Sequence, residues 1–348
     1  MVKAVSISER DLWMSYVERS FRHDFYHTWT YHSLEKNDTP LLLVYQEEEH
    51  FVALPLLLRE VYDTGLYDMT CVYGYTGPLS NRNPEELDDS FVGRFGAALK
   101  GYLLSNNIVS VFSRLHPFYG NNRLFTELGG LYKNGKVVAL DLSISLEKQR
   151  SKYAKIYSKI RRLRENGVYA KESKTFEDIR IFNEIYTENM SRVSASEAYL
   201  FSDEYLYELV NAEDSDTRLI LIYNDQHQPI CGTIAGFTGD VAQGHLIGTK
   251  KEFLPLSPTK LMVDVVTLAA REKGMKYFNL GGGLGYREDS LFQWKKSFSD
   301  VTFDYFSWRY IVDQTAYDKL LKDKNVPADV NVDLFPLYRA QLPSTASA

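Results

Sequence analysis

Cysteine is nearly missing from this chain. Cys71 and Cys231 are the only two in 348 residues. They are too far apart for a metal motif and too few for a disulfide framework. That scarcity agrees with a reducing compartment, and a cytoplasmic protein is expected. No apolar run approaches the roughly 18 residues of a membrane span. The longest apolar patch, Phe51 to Leu58, contains Pro55 and reads as a strand. The opening MVKAVSISERDLW has no apolar h-region, so no secretory signal is expected. An excess of positive charge is missing too. The net charge is −6, which argues against nucleic acid binding by overall charge.

Several catalytic signatures are also missing. There is no HExxH and no Cys or Asp set at metal-ligand spacing. His23, His27 and His32 lie close together but read as surface or packing residues, and no metal is expected. No Gly-x-Ser-x-Gly elbow occurs, which argues against a serine hydrolase. The run Gly281-Gly282-Gly283 fails the spacing of a dinucleotide fingerprint.

What is present is length and aromatic surface. A chain this long suggests two domains. Aromatics make up 14% of it, with 25 Tyr and 19 Phe. Tyr carries both packing area and a hydrogen-bonding tip, so these residues suit either a polar cleft or ordinary packing.

The second half is the easier to read. Phe176 to Met190 and Asp203 to Asn211 have helical spacing. Arg218 to Tyr223, Ile230 to Thr238 and a third run through His245 to Gly248 are β-rich and separated by tight turns, which predicts an antiparallel meander. Ser257-Pro258 predicts a helix start, with the hydroxyl as N-cap and the proline in the first turn. Leu261, Met262, Val265, Val266 and Ala269 share one face of that helix, and Gly274 ends it. Tyr277 to Leu280 then forms a short strand leading into the glycine triplet. The first half repeats this plan: Leu41 to Tyr45, Phe51 to Leu58 and Leu66 to Tyr73 as strands, a helix over Pro84 to Leu104, and a return strand at Ile108 to Phe112.

The order of helix pair, meander and strand–helix–strand crossover resembles the GNAT acetyltransferase fold. Four segments narrow the resemblance: Val72 to Pro78, the basic stretch ending Lys159-Ile160-Arg161-Arg162, the triplet Gly281-Gly282-Gly283, and Asp289 to Phe298. Together they resemble the FemABX-like transferases over roughly Asp24 to Phe306. That resemblance implies an α/β (α+β) chain of two tandem GNAT domains with mixed central sheets flanked by helices. The expected division is an N-terminal GNAT-like domain at 1–145, a C-terminal transferase domain at 146–325, and an extension at 326–348 whose PSTASA tail is expected to be disordered. It implies transfer of an amino acid or acyl group to an amine, since the best-known members add amino acids from aminoacyl-tRNA to peptidoglycan precursors.

The candidate site residues follow. Lys295, after Trp294, is expected to stabilise negative charge in acyl transfer, and the resemblance implies the same role. Asp289 is expected to cap the helix that carries Lys295, and is one candidate for the base. Gly281, Gly282 and Gly283 permit left-handed backbone and the close approach of a substrate. A tight turn followed by an exposed lysine is the alternative for this stretch. Eight cations run from Lys148 to Arg164 before the next acid, and Lys155, Lys159, Arg161 and Arg162 are candidates for phosphate contact. A solvated cationic face is the alternative there. The resemblance implies that Tyr73 and Tyr75 line a substrate channel, though a structural turn suits Tyr73 to Pro78 equally. Tyr199 is a weaker candidate for a cleft wall.

No resident cofactor is expected. The donor is aminoacyl-tRNA or acyl-CoA, and the acceptor a phosphorylated or nucleotide-linked glycan precursor. The loop Thr249 to Ser257 weighs against CoA, because it lacks a glycine-rich cradle and carries Pro255, which has no N–H to donate. A CoA-dependent N-acyltransferase acting on an amino-sugar nucleotide, and a non-catalytic glycan- or nucleotide-binding protein, remain as competing readings.

Overall fold

A computed structural model describes residues 1–327 and 333–340. The expected disorder of the PSTASA tail therefore lies outside the described residues. The chain opens with β1 (Val2–Ser6), α1 (Arg10–Glu18), α2 (Trp29–Ser33), β2 (Thr39–Glu47), β3 (His50–Glu60), β4 (Tyr67–Thr70) and β5 (Leu79–Ser80). It continues with α3 (Asp89–Ser105), β6 (Ile108–Arg114), β7 (Leu131–Asp141), α4 (Leu146–Lys152), α5 (Ala154–Glu165), β8 (Tyr169–Ser173), α6 (Phe176–Arg192) and α7 (Asp203–Val210). The last elements are β9 (Thr217–Tyr223), β10 (Pro229–Thr238), β11 (Val241–Thr249), α8 (Thr259–Glu272), β12 (Tyr277–Gly281), α9 (Ser290–Lys296), β13 (Thr302–Ile311) and α10 (Gln314–Asp323).

Two compact units result. The first holds Met1–His27, Glu35–Asn134 and the described residues from Tyr305 onward. The second holds Thr28–Leu34 and Gly135–Asp304. Residues 135–145 thus pack with the second unit and the stretch from Tyr305 with the first.

In the first unit the strands run β1-β2-β3-β4-β6-β13, with β5 on β3. The antiparallel meander β2-β3-β4 leads through α3 to β6, which is parallel to β4. Pro55 fits inside β3 because its second edge is shared out. β5 pairs at Val52 and Ala53 and β4 pairs from Leu57 onward, so the missing N–H falls between partners. Helix α3 starts later than its sequence suggests. Pro84–Glu86 is a separate 3-10 turn, and Asp88 caps α3 by accepting from Ser90 N–H at 2.7 Å. Phe91, Phe95 and Leu99 of α3 pack over Leu54, Met69 and Val111 in the core.

The second unit repeats the plan, with strand order β7-β12-β11-β10-β9-β8. The meander β9-β10-β11 leads through α8 to β12, which lies parallel to β11. Ile220, Ile222, Phe237, Met262, Val266 and Phe278 form its core with α5 and α9 residues. The expected start of α8 needs correction. Ser257 has φ of 53°, in the left-handed region, and its side chain caps nothing. The 3-10 turn Lys251–Leu256 forces that reversal, so the helix begins at Thr259. Gly274 ends α8 with φ of 72°, as expected.

Candidate active site

Strands β11 and β12 pair over three residues only: Val241 with Tyr277, Ala242 with Phe278, and Gln243 with Asn279. Beyond Gln243, β11 stays on β10 as far as Thr249 while β12 leaves it. An extra residue in β11 marks the parting. Ile234 pairs Leu246 and Ala235 pairs Gly244, so His245 is bulged. A bulge bends its strand and sharpens the twist, which carries β11 away from its parallel neighbour. At the last joined pair, Asn279 Nδ2 donates to Gln243 Oε1 at 2.9 Å, and Asn279 Oδ1 accepts from Gly281 N–H at 2.8 Å.

A cavity of about 20 Å³ fills the gap. Gly244 and Ile247 of β11, Phe278 and Leu280 of β12, and Met262 and Val266 of α8 make its apolar walls, and Trp294 and Lys295 of α9 close it. Such a volume holds about one water molecule, so an acyl group enters only if a wall such as α9 shifts.

The Lys295 side chain reaches back across the loop, and its Nζ donates to Gly282 O at 2.6 Å. Burial removes water from the ammonium and pulls its pKa from 10.5 down to about 8, against the attraction of Asp289. Trp294 packs edge-on against Phe298 at 5.1 Å.

Two further groups of this stretch have defined partners. Asp289 does cap α9, with Oδ1 accepting from Phe292 N–H at 2.9 Å, but Oδ2 accepts from Leu284 N–H at 2.9 Å as well. These N–H groups hold its carboxyl below the usual range. A carboxylate so engaged pins the loop to the start of α9. The glycine triplet, in turn, makes room for the loop itself. Gly281 is left-handed at φ of 76°. A Cβ on Gly282 would sit 2.7 Å from the Tyr286 ring and 2.9 Å from Lys136 O, and one on Gly283 would strike Arg287 O and Asp289.

The basic stretch is broken at Tyr153, a buried residue outside helical geometry. Lys155, Lys159, Arg161 and Arg162 are exposed on α5, while Ile160 and Leu163 turn inward. Lys152 closes α4, before the break. Arg150 and Arg164 do not face solvent anions: both bind Asp264 of α8, a carboxylate only 1% exposed, at 3.0 and 2.9 Å. Lys159 gains a neighbour from α8, Lys260, whose pKa falls through burial and the nearness of the Lys159 charge.

The remaining candidates belong to other segments of the chain. Tyr199 ends a 3-10 turn between α6 and α7, and its carbonyl accepts from Tyr186 OH at 2.9 Å. Tyr73 and Tyr75 belong to the first unit. The Tyr75 ring is buried, edge-on to Tyr26, His116 and Tyr305. It therefore packs as core, where a channel rim was expected. His27 and His32 are likewise buried, and burial lowers their pKa to about 3 and about 4. Among the described residues, no cluster of three His, Cys, Asp or Glu side chains is placed to hold a metal ion.

Sequence reading missed Lys260, Asp264 and the His245 bulge. Only Asp264 left a signal, as a charge on the apolar face of a helix.

Known proteins share this fold. Residues 149–296 match the family model of the acetyltransferase (GNAT) domain. The crystal structure of FemX matches with a TM-score of 0.68 over 92% of this chain and 99% of its own, at 14% identity. The fold is FemABX-like. The structure of L-PGS from Bacillus licheniformis also matches, with a TM-score of 0.57, 12% identity, and 87% and 92% of the two chains. A third match is the C-terminal domain of a putative lysylphosphatidylglycerol synthetase from Agrobacterium fabrum, with a TM-score of 0.55, 15% identity, and 90% and 96% coverage. No curated protein sequence matches the chain. The GNAT match at residues 149–296 makes this chain, FemABX-like in fold, an acyltransferase.

Proposed function

We propose that the chain moves an aminoacyl group from aminoacyl-tRNA to an amine of a phosphorylated or nucleotide-linked cell-wall or surface-polysaccharide precursor. The parting of β11 and β12 beside Lys295 carries this reading. The acceptor nitrogen attacks the ester carbonyl, the carbon–oxygen bond to the tRNA breaks, and an amide forms. One proton leaves the attacking amine and one reaches the departing hydroxyl. A lysine whose pKa is about 8 is present in both forms near neutrality. As an ammonium it stabilises the oxyanion or protonates the leaving oxygen; as an amine it accepts the proton.

The exposed cations of α5, beside Lys260, suit a phosphate-rich donor. A tRNA donor is favoured over CoA because Lys251–Leu256 forms a 3-10 turn containing Pro255, where a pyrophosphate would need a run of free N–H groups. Such a donor would place the reaction in the cytoplasm. The name of one fold relative, the lysylphosphatidylglycerol synthetase domain from Agrobacterium fabrum, supports an aminoacyl product. The deciding experiment is thermal melting with tRNA, CoA and a UDP-linked muropeptide, followed by single-turnover transfer with Lys295→Ala. Stabilisation by tRNA and loss of transfer are expected. Unchanged transfer by a folded Lys295→Ala protein, or stabilisation by CoA alone, would defeat the reading.

A further inference from the structure

Lys295 Nζ donates to a backbone atom, Gly282 O, one residue beyond the end of β12. The path of the chain at that end therefore decides where the ammonium sits. β12 changes course there against both of its neighbours. It leaves β11 after the pair Gln243 and Asn279. Against β7, Asn279 pairs Ala139 and Gly281 pairs Val138, so Leu280 is an extra residue. A bulge of this kind bends its strand and re-aims the side chains around it. Leu280 lines the cavity.

One side chain spans the bend. Asn279 Oδ1 accepts from Gly281 N–H at 2.8 Å across Leu280, the two-residue reach of an Asx turn. Asn279 Nδ2 donates to Gln243 Oε1 at 2.9 Å, which ties the bend to β11 at the last joined pair. Both amides are 2% exposed. Burying two amides is costly unless they bond, and two apolar groups of the same shape would avoid that cost. What the amides add is direction, since a leucine at 279 could hold neither Gly281 N–H nor Gln243. From Gly281, left-handed at φ of 76°, the chain enters Gly282, where Lys136 O and the Tyr286 ring leave no room for a Cβ. Asn279, Gly281, Gly282 O and Lys295 Nζ thus form one connected series.

We propose that Asn279 is a positioning residue for Lys295: its amide sets the bend of β12, and the bend aims Gly282 O at the ammonium. It acts through Lys295, and its effect on transfer rests on the role proposed for that lysine. The test is a double-mutant cycle in urea with Asn279→Leu and Lys295→Met, which needs no substrate. Once Gly282 O has lost its aim, Lys295→Met no longer removes the same hydrogen bond. The two changes should therefore depart from additivity by about fivefold in the unfolding constant. Lys295→Met should add normally to Ile220→Val, a core change on β9 with β10 and β11 between it and β12. Asn279→Ser keeps a hydroxyl that can accept from Gly281 N–H, so it should restore part of the stability, and it carries the cycle if the leucine variant does not fold. In single-turnover transfer at saturating donor, Asn279→Leu should be slower by about tenfold to a hundredfold with donor affinity unchanged, and Asn279→Ser should recover part of the rate. Additive changes in the cycle would overturn the proposal. So would wild-type transfer by a folded Asn279→Leu protein. A non-additive cycle in a chain that takes nothing from tRNA would support the positioning and defeat only the proposed donor.

Discussion

Replacing Lys295 by methionine should make the protein more stable at neutral pH and less active. The side chain keeps its length and loses its charge. Burial lowers the Lys295 pKa from 10.5 to about 8, a gap of about 2.5 that corresponds to roughly 3 kcal/mol against the charged form. Methionine removes that cost. It also removes the 2.6 Å hydrogen bond to Gly282 O, worth about 1–2 kcal/mol. The net expectation is a gain of roughly 1–2 kcal/mol at pH 7. The sign follows from proton binding. Below pH 8 the folded and unfolded lysine are both charged, so the wild type bears the full penalty there. Between about 8 and 10.5 the folded state holds fewer protons than the unfolded state, and wild-type stability rises with pH. The advantage of Lys295→Met should therefore shrink across that window and give way above it to a deficit of about 1–2 kcal/mol, the lost hydrogen bond. Urea unfolding of both proteins at a series of pH values measures this directly. A variant less stable than wild type at pH 7, or a difference that does not change between pH 8 and 10.5, would refute the reasoning.

Other perturbations probe the supports of the site. Asp264→Asn leaves Arg150 and Arg164 without their shared carboxylate, and since Arg164 is 39% exposed and can rehydrate, the loss should be about 2–3 kcal/mol in urea unfolding. Neutral glutamines at Lys155, Lys159 and Arg162 should leave unfolding unchanged and lower the salt dependence of tRNA binding in filter assays by about three counterions. Asp289→Ala should free the loop from Leu284 to Asp289, read as faster amide exchange at Leu284 and Phe292; because the folded carboxyl titrates low, the wild-type contribution is present above pH 3.8 and fades only as the pH falls below it.

Much of the fold is legible in the sequence because its signals are local. Alternation and tight turns mark β9, β10 and β11, and Gly274 marks the end of α8. The parting of β11 from β12 is different. It depends on a bulge at His245, and a bulge has no residue signature when the strand continues on both sides. Tyr153 breaks the basic stretch without glycine or proline, because a large ring prefers the core to helical register. The exposed cationic set therefore looks longer in sequence than in space, and Arg150 and Arg164 turn to Asp264. The glycine triplet is conspicuous, but its reason lies in Tyr286, Arg287 and Asp289 folding back over it.

The most direct test of the central claim is a crystal structure with a non-hydrolysable 3′-amide analogue of aminoacyl-tRNA. The account predicts the analogue carbonyl between β11 and β12, within about 3.5 Å of Lys295 Nζ. Strands joined past Gln243 with no room between them, or an analogue bound away from Trp294 and Lys295, would contradict it.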